Sequence, residues 1–173
     1  MTTNWGDRST PQNRAGTQLI RCVHMLMMQF QRLVVPRPTE PGADLEAVFD
    51  PGLDATFYAY ALRHSVQVAE MCRVFNPGKI GRAIKAFEDA VPDYKRVRDV
   101  LGHFDAYETG AGDLAGVTSA LNNSVHFFEY DPANQVMHIG GMTLDVKASY
   151  FAANAMLMAV RDVLTPGAFP EPS

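Results

Sequence analysis

Apolar residues between Leu19 and Val34 recur at helical spacing: Leu19, Ile20, Val23, Leu26, Met27, Phe30, Leu33 and Val34. This pattern predicts a first helix from about Thr10 with a broad buried face. Pro36 and Pro38 end it. Residues 36–54 hold four of the eleven prolines and five carboxylates, which predicts a proline-rich loop rather than a regular element. Asp54 is placed to cap a second helix running to about Phe75, with Phe57, Ala61, Leu62, Val66, Ala69 and Cys72 as its buried stripe. Asn76, Pro77 and Gly78 interrupt the pattern. A third helix is predicted from Lys79 to Ala90, carrying Ile80, Ala83, Ile84 and Phe87 inward. Pro92 suits the first turn of a fourth, to about Thr109, whose Tyr94, Val97, Val100, Leu101, Phe104 and Tyr107 share one face.

Beyond the glycine-rich stretch 110–116 the period changes. Ser124–Tyr130 and Gln135–Val146 read as strands, and Asp131, Pro132, Ala133 and Asn134 between them are turn chemistry. Two strands alone are marginal in water, so this hairpin has to lean on the helices. A last helix is expected from Lys147 to Leu164, with a tail over 165–173. The expected fold class is therefore mainly α: a bundle of about five helices with one β-hairpin inserted before the last helix. A length of 173 residues suits one domain with its own core.

Composition narrows the classes. The chain is 47% hydrophobic and 20% charged, an ordinary globular balance. The longest apolar stretch, Leu19–Val35, is broken by Arg21, His24, Gln29, Gln31 and Arg32, too soon for a membrane span. Residues 1–14 are polar and carry no secretory h-region, so a cytoplasmic location is expected. Cys22 and Cys72 lie in apolar helical patterns without a second ligand pair, as buried free thiols do.

The formal net charge of -4 is unevenly spread: residues 55–98 carry +4 and residues 99–173 carry -7. Arg63, Arg73, Lys79, Arg82, Lys85, Lys95, Arg96 and Arg98 form the basic block. Such a block either binds an anion or is a set of solvated helix faces. Neither a phosphate-binding P-loop nor a G-x-G-x-x-G fingerprint is present. The five histidines include no H-E-x-x-H, and only His126 and His138, on opposite arms of the hairpin, suggest a metal pair; no metal or cofactor is expected. His64, beside Arg63 on the second helix, reads as a structural histidine.

One constellation remains: Arg98-Asp99-Val100-Leu101-Gly102-His103. At about 100° per residue, Arg98 and His103 fall on opposite flanks of the apolar stripe centred near Val97 and Phe104. Asp99 is four residues before His103, within reach of its imidazole along a helix. This segment resembles the R-x(4 to 6)-H signature of the HEPN superfamily, helical bundles of the toxin and defence type, in which a polar residue such as Asp often follows the arginine. The match covers six residues. Where the toxin subgroup often has a tyrosine two residues after the histidine, this chain has Asp105, with Tyr107 two further on.

The resemblance implies metal-independent RNA cleavage by a homodimer, with Arg98, Asp99 and His103 as the catalytic set. Arg98 would hold the phosphate, His103 would act as general base or acid, and Asp99 would orient it. Lys95 and Arg96 would add phosphate contacts. Tyr94 and Tyr107 could stack on bases, although their place on the apolar stripe favours core packing. The same residues also fit a surface arginine paired with Asp89 or Glu108. Two other readings stay open. One is a non-catalytic interaction protein, partner of a nucleotidyltransferase or nuclease, with methionines such as Met25, Met27, Met28, Met156 and Met158 as adaptable contact surface. The other is a bundle that binds a small molecule between its first and last helices.

Overall fold

Thr10 starts the first element: its hydroxyl accepts the Asn13 amide at 3.1 Å, and Pro11 follows at a position where a missing N–H costs nothing. The computed structural model describes residues 10–35, 51–102, 128–139 and 142–165. Helix α1 runs Pro11–Val34 and buries Leu19, Cys22, Leu26 and Leu33. Ile20, expected on its inner face, is 41% exposed; the buried residues at three- and four-residue steps leave it at the edge of the stripe.

Helix α2 (Pro51–Cys72) continues as a 3-10 turn, Arg73–Phe75. It starts at Pro51, four residues before the first helical position expected after an Asp54 cap, and Asp54 is not its cap. Asp54 lies buried in the first turn, where Oδ1 meets Arg32 Nε at 2.9 Å. That pair and the Cys22–Ser65 contact at 3.3 Å set α1 and α2 antiparallel. Tyr58, Ala59, Ala61, Leu62, Ser65, Val66, Val68, Ala69 and Cys72 are all buried, so α2 is covered over much of its circumference and has no single stripe. Phe57, assigned inward from the sequence, is 47% exposed, and its neighbour Tyr58 takes the interior place.

Asn76 caps helix α3 (Pro77–Ala90) by accepting the Lys79 amide, so the helix opens at Pro77 rather than Lys79. Helix α4 (Tyr94–Gly102) follows. Strands β1 (Phe128–Asp131), β2 (Val136–Ile139) and β3 (Met142–Asp145) form an antiparallel sheet in that order. The expected turn sits at Asp131–Asn134, where Asp131 accepts the Ala133 and Asn134 amides. The expected second arm is two strands rather than one: Ile139 pairs with Met142, and the sequence between them is Gly140-Gly141, the composition that tight hairpins favour.

Asp145 accepts the Ala148 amide at 2.8 Å and caps helix α5 (Val146–Leu164). Phe30 stacks on Tyr150 at 3.9 Å, and Gln12 donates to the Leu164 carbonyl, which lays α1 and α5 antiparallel along most of their length. Tyr58 Oη ties the starts of α2 and α5 through the Val146 carbonyl and Ser149. Tyr130 anchors the sheet by donating to Leu33 O at 3.0 Å, and Met137, Ile139, Met142 and Leu144 bury its inner face. The protein is thus mainly α, with five helices among the described residues and the small sheet before the last. No helix among them is long and apolar enough to cross a membrane.

Cys22 and Cys72 are free and buried, and neither should react with a thiol reagent until the protein is unfolded. Burial pushes the Cys72 thiol up to about 11 and raises Cys22, Tyr58 and Tyr94 as well. All four are neutral acids that ionise more readily in the unfolded chain, so their contribution to stability is intact below the ordinary thiol range; that of Cys72 is lost as pH rises through about 11, and the tyrosines follow at higher pH. Urea unfolding should show a midpoint unchanged from pH 7 to 8.5 and falling by pH 10.5; a flat midpoint would mean that these groups ionise freely when folded.

Candidate functional site

Helix α4 buries Tyr94, Val97, Val100 and Leu101, the stripe expected from spacing. Tyr94 packs edge-on against Phe87 of α3, with ring centres 4.9 Å apart and planes at 75°. With the helix fixed by that face, Arg98, four residues after Tyr94, stands at the surface, 44% exposed. Its Nε and Nη2 both donate to Oδ1 of Asp99, at 2.9 and 2.7 Å. This hydrogen bond is the main reason that the guanidinium is held still more firmly protonated than usual. Among the described residues the partner of Arg98 is therefore its own neighbour rather than Asp89, which pairs with Lys85; Glu108 lies outside those residues.

His103 and Tyr107 lie outside the described residues, as do His126 and residues 36–50 of the proline-rich loop. Lys95 and Arg96 are present on the outer face of α4, each beside an acid. Lys95 Nζ meets Glu88 at 3.0 Å, and Arg96 Nη1 lies 3.9 Å from Asp93. Exposed pairs of this kind contribute little, about 0–1 kcal/mol, and exchange readily for another anion. Elsewhere in the basic block Arg73 pairs with Glu70 and Lys85 with Asp89. No cluster of three or more His, Cys, Asp or Glu able to hold a metal occurs among the described residues. His138 contacts Thr143 Oγ1 at 3.4 Å.

Reading the sequence alone missed the part played by Arg63. From α2 its Nη1 donates to the Leu101 carbonyl at 3.3 Å, joining α2 to the end of α4 two residues before His103 in sequence. Burial raises the pKa of the Tyr94 hydroxyl, and the charges of Arg98 and Arg63 pull against the rise. Glu88 and Asp99 act in the opposite sense. The α2–α4 contact thus brings Arg63 onto the helix that carries the buried Tyr94 and the exposed Arg98. Only the dipeptide Arg63-His64 in an otherwise apolar helix hinted at this; the α2–α4 contact has no local signature.

Among the described residues, Arg63 Nε, Tyr94 Oη and Gln29 Oε1 are buried without a hydrogen-bond partner. A polar group left in this state costs about 1–3 kcal/mol. Tyr94→Phe is therefore expected to leave stability unchanged or raise it by about 1 kcal/mol, against the usual direction of a core substitution. Urea unfolding checks this, and a loss above about 1 kcal/mol would show that the hydroxyl is satisfied in solution. No protein-family model, curated protein or solved structure matches this chain.

Proposed function

We propose that the chain is a HEPN-like, metal-independent endoribonuclease that binds single-stranded RNA over the α2–α4 contact and works as a homodimer. The observation that supports this reading is that Arg63 of α2 bonds to the Leu101 carbonyl at the end of α4, the helix that carries the exposed motif arginine Arg98. Guanidiniums suit the non-bridging oxygens of a phosphodiester, since each planar fork offers parallel donors to paired oxygens. The motif residue Arg98 is exposed, as a substrate contact requires.

In this reading Arg98 exchanges its bond to Asp99 for the phosphate. His103 takes the proton of a ribose 2′-hydroxyl, whose oxygen attacks the adjacent phosphorus. The bond to the 5′-oxygen breaks, and that oxygen leaves with a proton from an imidazole, from the same histidine or its counterpart in a second copy. Asp99 holds Arg98 in the free protein and serves His103 once Arg98 has turned to substrate. Arg63 adds charge stabilisation at the phosphate. Lys95 and Arg96 steer the strand, so affinity falls with salt.

Incubating a labelled single-stranded RNA with the protein in excess chelator tests the proposal. RNA should be cut and DNA of the same sequence left whole, because DNA has no 2′-hydroxyl. Intact RNA over a range of sequences would overturn the proposal and favour the interaction protein.

A further inference from the structure

Helices α1 and α2 enclose a groove of about 460 Å³, lined by Gln29 of α1 and by Phe57, Tyr60, Arg63, His64 and Gln67 of α2 among others. Phe57 and Tyr60 are three residues apart and share one face of the helix. Both keep large aromatic surfaces in water, at 47% and 40% exposure. Two side-chain amides face the same space, and each offers a donor and an acceptor on one planar group. Two of the lining residues each bury a polar atom, Gln29 Oε1 and Arg63 Nε, that has no hydrogen-bond partner among the described residues. A ring that slides in beside them can donate to the glutamine oxygen after a small rotation of the amide.

Aromatic faces for stacking, amides for edge recognition and a guanidinium at one end form the combination by which unstacked bases are held. We infer that the groove is a nucleobase subsite, taking an unpaired base whose phosphate lies toward Arg63. Arg63 lines the groove and also joins α4, so base and phosphate belong to one ligand. The inference rests on the RNA reading for the strand itself, while the groove's chemistry serves a free nucleotide equally.

The test uses the full chain and a fluorescent 2′-O-methyl hexa-adenylate, which binds but has no hydroxyl to react, with adenosine monophosphate as competitor. Tyr60→Ala should weaken oligonucleotide binding about tenfold, Tyr60→Phe less than twofold and Gln67→Ala about threefold. Tyr60 and Gln67 are surface residues, so thermal melting should stay at the wild-type value. Oligonucleotide binding far tighter than that of the mononucleotide identifies the strand as the ligand; equal affinities identify a free nucleotide. Unaltered binding by folded Tyr60→Ala and Gln67→Ala overturns the groove even if RNA is cleaved. Failure of the wild type to bind either probe also overturns it. Tyr60-dependent binding with native RNA left intact upholds the groove and removes the nuclease.

Discussion

Replacing His103 with alanine is expected to slow RNA cleavage by at least about a hundredfold, the lower range for a positioned general acid or base. Arg98→Ala should lose a similar factor, because charge building on the phosphate oxygens would meet one guanidinium in place of two. Arg98→Lys is the more informative partner. It keeps the charge and loses the fork, so its rate should fall between wild type and alanine. Among the described residues Arg98 is exposed and bonded to an adjacent exposed carboxylate, so its removal should move stability by less than about 0.5 kcal/mol. A variant that cleaves at the wild-type rate would leave the motif as surface decoration.

Phe87→Ala should cost about 3–5 kcal/mol of stability, the range for a large aromatic removed from a core. Phe87 is 1% exposed on α3, which packs along α5, and its ring is the surface on which Tyr94 rests. Truncation opens a void and frees the phenol that orients α4. The consequence reaches the site, because α4 carries Arg98 and is held on α3 by that contact. Denaturant unfolding should show the full loss, and Phe87→Leu should recover more than half of it by refilling volume. A cost below about 1 kcal/mol would show that α3 and α4 are not packed through this ring.

Local signals made most of the fold legible. Thr10 with Pro11, the break at Asn76 and the spacing of Val97, Val100 and Leu101 each depend on neighbours in sequence, and the five expected helices and the hairpin turn are present where the residues are described, the stretches 103–109 and 124–127 lying outside them. Ile20 and Phe57 were misread for a shared reason: periodicity reports how apolar a face is, not how much of it a neighbour covers. The start of α2 was misread because the carboxylate of Asp54 pairs with Arg32 across the bundle, a partner that capping chemistry does not reveal. At the site, Arg98 and Asp99 were legible as a motif. Arg63 was not, because its role comes from α2 crossing the end of α4, a contact between residues 38 positions apart. The groove of Gln29, Tyr60 and Gln67 was hidden likewise, since its two walls come from different helices.

The chemistry of the cut ends tests the central claim most directly. A defined single-stranded RNA digested in excess chelator and resolved by mass spectrometry should yield fragments ending in a 2′,3′-cyclic phosphate, each paired with a fragment bearing a 5′-hydroxyl. That outcome requires the 2′-oxygen to have been the nucleophile, as assigned to His103 acting with Arg98. Fragments with 3′-hydroxyl and 5′-phosphate ends, or RNA recovered whole, would contradict it.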